Sequence, residues 1–188
     1  GPEVRTAGNG PTVGFVGSFQ KFHGSEILVD LVNRVGAARP STRFLLVGDG
    51  PDAPSVRSRL ARNRQVIFTG AVPHGAIPGL VAGLDVGVLP DSAPYCSPLK
   101  VIEWMAAGRA VVAPRYGPLT EIIEDGVHGL LFEPGNRDAL VAAVLRLIDD
   151  PDLRGQLGVA AAERARTSLS WDDNARRVID ACEAAIAG

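Results

Sequence analysis

One heptapeptide concentrates the chemistry of this sequence: Ser97-Pro98-Leu99-Lys100-Val101-Ile102-Glu103. Ser97 is a favourable N-cap and Pro98 suits the first helical position, so a helix is expected to start here. The first backbone N–H groups of such a helix lack internal partners, and its dipole puts a positive end at the same point. Lys100 falls in that first turn, where the dipole disfavours a cation by about 0.3–1 kcal/mol. A Glu there would complete a capping box. Two positive sources at one point make sense if an anion lies between them, and phosphate is the natural candidate. The plainer alternative is a Lys100 that faces solvent or pairs with Glu103, worth only about 0.2–0.5 kcal/mol. Glu103 can accept hydrogen bonds from a vicinal diol such as a ribose, or serve as a surface carboxylate. Cys96 just upstream is either a reactive thiol or a merely neighbouring one.

Two further stretches carry polar groups in suggestive places. Gly17-Ser18-Phe19-Gln20-Lys21-Phe22-His23-Gly24 follows an apolar run. Gly17 permits close backbone approach, while Lys21 as a point charge and His23 through a donated N–H can reach a diphosphate. An ordinary loop with one solvated lysine is the alternative. Phe68-Thr69-Gly70-Ala71-Val72-Pro73-His74 places a glycine turn beside Val72, which suits a base edge or a plain turn equally well. The Tyr116-to-Asn136 stretch reads as turns and a cap, with Glu121 and Asp125 as solvated or capping groups.

Other chemistries lack their residues. No Ser stands in a His–Asp pattern. Cys96 and Cys182, with His23, His74 and His128, lack zinc spacing and read as two reduced thiols and scattered histidines of a cytosolic domain. The 188 residues carry 19 basic against 21 acidic side chains, a formal charge of −2, which argues against a nucleic-acid binder. The basic residues are 17 Arg and only two Lys, Lys21 and Lys100. Hydrophobic residues make up 46%, enough for a core, and no apolar run is long enough to span a membrane. The opening Gly1-Pro2-Glu3 shows no leader pattern and reads as a processing scar on a piece of a longer chain.

These stretches need a frame that holds them together. Residues 1–11 read as a flexible lead-in. Short, nearly unbroken apolar runs then alternate with helical patterns, with strands expected at 12–17, 43–48, 66–69, 85–89, 110–113 and 129–132. Helices are expected near 25–38, 52–62, 75–83, 98–107, 118–124, 137–149, 151–166 and 171–187. This order predicts an α/β fold with a doubly wound, six-stranded parallel sheet and C-terminal helices. Ligands of such sheets bind beyond the carboxyl ends of the strands, where the strand order switches. Neither G-x-G-x-x-G nor G-x-x-x-x-G-K-[ST] is present.

The order of the blocks resembles the C-terminal, donor-binding domain of retaining glycosyltransferases of the GT-B fold, family 4 (group 1). The matching stretches are FVGSFQKFHG, LLVGDGP, VIFTGAVPH, LDVGVLP, SPLKVIEWMAAGRAVVA and EIIEDGVHGLLFEPGN, with SWDDNARRVIDACEAAI as the last helix. The resemblance implies a nucleotide-sugar-binding, Rossmann-like domain over 12–166 and a helix over 167–188 that crosses to an N-terminal domain of the same parent chain. It implies transfer of a sugar from a nucleoside-diphosphate sugar to an unspecified acceptor, with retention and without a divalent metal or other cofactor. Diphosphate contacts would come from Gly17, Ser18, Lys21, His23, Ser97, Pro98, Leu99 and Lys100. Lys100 and Glu103 would act on the donor, with Glu103 on the ribose, and Gly70 and Val72 would lie beside the base.

The sequence departs from the family pattern in two places. The family's usual pair of Glu has Glu103 as its second member, but Tyr95 stands where the first would be, so the resemblance implies that Tyr95 and Cys96 would border the donor sugar. The usual Arg and Lys after the first strand appear as Ser18 and His23, leaving Lys21 to supply the charge. Half of a two-domain enzyme is implied, inactive alone, cytoplasmic, with any peripheral membrane contact made through the other half. The stripe Ala175, Val178, Ile179, Cys182 and Ile186 on the last helix is then expected to fold back onto its own domain or to mediate a homodimer. A nucleotide-sugar epimerase, a non-catalytic nucleotide-sugar-binding module and a nicotinamide oxidoreductase are the rival readings.

Overall fold

A computed structural model describes residues 10–187. Its strands are β1 (Thr12–Val16), β2 (Arg43–Val47), β3 (Val66–Gly70), β4 (Val86–Val88), β5 (Ala110–Pro114) and β6 (Leu130–Phe132). Its helices are α1 (Ser25–Ala38), α2 (Ala53–Leu60), α3 (Ile77–Ala82), α4 (Leu99–Ala106), α5 (Gly117–Thr120), α6 (Arg137–Asp149), α7 (Pro151–Ser168) and α8 (Trp171–Ala187). Short 3-10 turns occupy Lys21–His23 and His74–Ala76. The six strands form one parallel sheet in the order β3-β2-β1-β4-β5-β6, the expected doubly wound arrangement. The order reverses between β1 and β4, and this switch opens the crevice in which such sheets bind ligands.

Strand side chains alternate between two cores. Along β2, Phe44 and Leu46 join α1 and α6 on one face, where Leu28, Leu31, Val32, Leu140 and Val144 are buried. Leu45 and Val47 join the other face with Trp104, Met105, Ile123, Ala161 and Ala165 of α4, α7 and the segment after α5. The α1 stripe recurs at helical spacing, which explains why its 14 residues were legible as a helix. Asn136 caps α6 by accepting from the Ala139 amide at 3.0 Å, as its position suggested.

Two glycines make room at the switch, Gly87 for Trp104 of α4 and Gly14 for Leu84. Gly14 of β1 and Gly87 of β4 lie side by side in register at the switch. A Cβ on Gly87 would stand 2.7 Å from the Trp104 ring, and one on Gly14 2.3 Å from Leu84. The indole of Trp104 is fully buried over this bare backbone, so α4 rests directly on the sheet and its N-terminus is fixed at the crevice. Gly87→Ala is expected to cost about 1–3 kcal/mol by overpacking. Denaturant unfolding that shows no change in midpoint would contradict this.

Several details differ from expectation, among them α5, which spans Gly117–Thr120 rather than 118–124. Most of the lead-in lies outside the described residues, but Gly10 is buried against Ser41 and the Pro11 carbonyl accepts from Arg43 N at 2.9 Å. The α7 helix runs to Ser168, past the expected end at 166. The α8 helix does not fold back onto its own domain: Trp171, Val178, Ile179 and Ile186 are 76%, 56%, 54% and 86% exposed. Its amphipathic stripe is left uncovered by the described residues. No helix among the described residues is long and apolar enough to cross a membrane.

Candidate functional site

The ends of β1, β2 and β3 are laced together by their backbones. Gly17 N donates to Val47 O at 3.0 Å, and Gly48 N donates to Gly70 O at 3.0 Å. Phe19 N reaches Asp49 O at 3.0 Å. Gly48 sits at φ 119°, a conformation that side chains rarely adopt, and a Cβ there would lie 2.0 Å from Gly17 O. Only glycine lets these loops close on one another. Between them lies an open cavity of about 290 Å³, lined by Val16, Gly17, Ser18, Val47, Gly48, Asp49, Ala71, Val72 and Ile77. It joins the first loop with Val72, as expected from sequence. Gly48 and Asp49 lie in a strand-end loop of the kind expected to face the ligand, although neither was assigned a role, and Ile77 was not anticipated. The strand-end Gly48-Asp49-Gly50 was the available signal.

The α4 N-terminus differs in detail from the expectation. Pro98, not Ser97, is the N-cap, and no side chain caps the helix. The Pro98 carbonyl accepts from Val101 N at 2.8 Å and Ile102 N at 3.1 Å, so the helix begins one residue late. The amides of Leu99 and Lys100 precede the first bonded N–H of the helix and have no partner among the described residues. Ser97 is exposed and Pro98 partly so, and the Leu99 side chain is half exposed.

Lys100 takes neither of its plain alternatives. Its stem turns inward, and its Nζ lies 3.1 Å from His23 Nε2 and 5.5 Å from the centroid of the Phe15 ring. A Cβ on Gly17 would stand 2.8 Å from that Nζ, so the glycine leaves the space the ammonium uses. Burial pushes the ammonium down to about 8, partly offset by Cys96 and Glu103. The same desolvation lowers His23, the Lys100 charge lowers it further, and the hydrogen bond to Ser18 opposes both.

His23 is 9% exposed, and its Nδ1 lies 2.6 Å from the Ser18 carbonyl. A carbonyl only accepts, so Nδ1 carries the proton. The other ring nitrogen, Nε2, faces the Lys100 Nζ. Phe19 is fully buried and packs edge-on against Phe15 at 5.2 Å.

The remaining predicted residues are more open. Lys21 is exposed on the 3-10 turn and has no partner among the described residues, whereas Lys100 and His23 meet. Glu103 is exposed and makes no ion pair with Lys100, although it is near enough to favour the charge there. Tyr95 is 87% exposed, and Cys96 is a free, half-buried thiol. Gly70 turns at φ 72°, with the Arg57 guanidinium close by, 4.7 Å over the Phe68 ring. Arg57 was missed because one Arg among many on a polar helix carries no signal. Asp125 holds Leu131 N at 2.8 Å and Arg115 at 2.6 Å, a structural role. Among the described residues, no group of three or more His, Cys, Asp or Glu is placed to hold a metal.

This layout has known counterparts. The family model described as "Glycosyl transferases group 1" matches residues 10–150. The chain belongs to the group 1 glycosyltransferases. Its relatives include the alpha-D-kanosaminyltransferase of Streptomyces kanamyceticus, 30% identical over 166 residues. That match covers 85% of this chain but 42% of the relative, so this glycosyltransferase chain spans less than half the relative's length. Among solved structures, the Anabaena protein HepE, in complex with UDP and glucose, matches with a TM-score of 0.82 at 23% identity. The match covers 94% of this chain and 49% of that one. The C-terminal domain of a group 1 family protein from Francisella tularensis matches with a TM-score of 0.78 at 23% identity, covering 86% of this chain and 87% of that one. At these identities the two structures establish a shared GT-B domain fold.

Proposed function

We propose that this chain is the donor-binding half of a retaining glycosyltransferase, which takes a nucleoside-diphosphate sugar at the switch crevice. One observation carries the reading: α4 delivers a half-buried ammonium to bare backbone at Gly17, beside a cavity that reaches Val72. That arrangement fits a diphosphate at Lys100 and the Leu99 and Lys100 amides, with the base toward Gly70 and Val72. Glu103 then takes the ribose hydroxyls, and Tyr95 and Cys96 border the sugar. In the reaction the anomeric C–O bond breaks and its electron pair goes to the diphosphate oxygen. The acceptor oxygen bonds to the anomeric carbon on the same face, and its proton passes to the departing diphosphate oxygen or to a base on the other domain. This half stabilises the leaving charge with donors fixed in advance.

The reading includes no divalent metal. It places the acceptor site and any base on an N-terminal domain of the parent chain, so the isolated half binds donor without transferring sugar. The exposed α8 stripe would then be covered by that domain, or by a second copy. A cytoplasmic location goes with it, any membrane contact being made through the other half.

Calorimetric titration of the 188-residue chain with UDP, GDP, ADP and NADH tests this. One nucleoside diphosphate should bind in the micromolar-to-millimolar range. Glu103→Ala should weaken it by about tenfold, as expected for a lost charged hydrogen bond, while leaving inorganic pyrophosphate unaffected. Tight NADH binding with no diphosphate binding would sink the reading.

A further inference from the structure

The first loop of the crevice contains a histidine whose two ring nitrogens are both committed within the protein. Nδ1 faces the Ser18 carbonyl at 2.6 Å, and Nε2 faces the Lys100 ammonium at 3.1 Å. A carbonyl cannot donate and an ammonium cannot accept. The only protonation state that satisfies both contacts is a neutral ring with hydrogen on Nδ1 and a lone pair on Nε2. An imidazolium would aim an N–H at the ammonium, and the opposite tautomer would set lone pair against lone pair at the carbonyl.

We propose that His23 is a positioning residue for Lys100: the Ser18 carbonyl holds it in the Nδ1–H form, and its Nε2 lone pair seats the ammonium beneath Gly17, ready for an anion. This rests on the donor-site reading given above and refines it. The loop after β1 contributes an acceptor rather than a charge, and the cation comes from α4.

Three features make the seat specific. Phe15 sits face-on to the ammonium at 5.5 Å and edge-on to the His23 ring at 6.3 Å, closing the side toward the core. Phe22 tilts against the ring at 4.3 Å on the solvent side. The missing Cβ of Gly17 leaves the remaining approach to Nζ bare. A lysine stem has four rotatable bonds, and holding its end before the ligand arrives reduces the ordering cost of binding. The titratable groups that bear on Lys100 are Cys96 and Glu103 from the α4 side and His23 from the β1 loop. The Lys21 side chain is directed to solvent.

The test begins without ligand. Long-range proton–nitrogen correlation on histidine-labelled chain separates three rings, His23, His74 and His128, and reads each tautomer. His23 is expected in the Nδ1–H form at neutral pH. An Nε2–H form or an imidazolium overturns the proposal.

The second arm uses two substitutions. His23→Gln can return an acceptor near the Nε2 position, whereas His23→Asn returns only a group near Nδ1. With only two lysines in the chain, the Lys100 ammonium signal is separable from that of Lys21. It should stay protected from exchange in His23→Gln and be lost in His23→Asn. UDP affinity should follow, retained within about threefold in the first and falling about tenfold or more in the second, the range for hydrogen bonds to charged groups.

A double-mutant cycle separates positioning from direct contact. In a Lys100→Ala background, His23→Asn should add no further loss. An additive loss there, or wild-type affinity in His23→Asn alone, overturns the proposal. Amide spectra confirm that each variant is folded. If none of UDP, GDP or ADP binds the wild-type chain, the donor-site reading fails, and the tautomer and ammonium signals still decide on the seat.

Discussion

Lys100→Met is expected to weaken nucleoside-diphosphate binding by about 30-fold or more, with no fall in melting temperature. The loss follows from removing a charge-assisted contact, worth about 1.5–3 kcal/mol. The unchanged melting temperature follows from what the ammonium costs in the free domain. Burial has lowered it from 10.5 to about 8, so the fold disfavours its charged form. Methionine keeps an unbranched stem against Phe15 and removes that charge.

The pH dependences run in opposite directions. Binding needs the ammonium, so affinity should hold between pH 6 and 7 and decline as the pH rises through about 8. Stability behaves otherwise, because between about 8 and 10.5 the unfolded chain still holds a proton that the folded chain has released. That term stabilises the fold progressively as pH rises through this window, and Lys100→Met abolishes it. Calorimetry against pH, paired with thermal melts of both proteins, checks both signs. Wild-type affinity in Lys100→Met would remove the ammonium from the site altogether.

Gly48→Ala should be the most damaging single methyl in the crevice. The new Cβ would stand 2.0 Å from the carbonyl of Gly17, whose own N–H is bonded to Val47 O, and the φ of 119° at position 48 would be strained. Strain and overpacking together should cost roughly 3 kcal/mol. For a domain of this size that lowers the melting temperature by about 10 °C. Because the Gly17–Val47 and Gly48–Gly70 bonds meet here, the cavity wall must open as well, and diphosphate affinity should fall with stability. Gly79→Ala is the control. Nothing lies within 4 Å of its would-be Cβ, so it should be neutral or slightly stabilising. A melting temperature for Gly48→Ala equal to that control would show that the loops are not locked in this way.

The sheet and most helices were legible because they answer to periodicity and punctuation. The α1 stripe, the turn at Pro40 and the cap at Asn136 each act locally. The anomaly of a cation in the first turn of α4 was legible too, since the dipole argument needs only position. What failed was direction. Lys21 and His23 lie two residues apart on one 3-10 turn, and nothing in their types shows which one turns inward. The preference for Ser97 as a cap is worth about 1 kcal/mol, less than the packing of Trp104 onto Gly87 that fixes where α4 begins. The loop at Gly48 and Asp49 was legible by its place at a strand end, but which of its residues line the cavity was not, because two residues have no period to read. The proton on His23 Nδ1 follows only once the Ser18 carbonyl is in view.

The exposed α8 has a consequence for how this domain opens and closes. Seventeen residues give a rod about 26 Å long, close to the length at which isolated helices become marginal in water. Its support is local: Ser170 Oγ accepts from Asp173 N at 3.1 Å, and Arg176 reaches Asp173 at 3.2 Å. Strand amides under Trp104 and Leu46 are expected to exchange only when the whole sheet comes apart, whereas those of the exposed α8 should be released by fraying alone. The chain therefore joins a cooperative block to a segment that melts by itself. Any surface that covers the stripe must supply the free energy of keeping that segment helical.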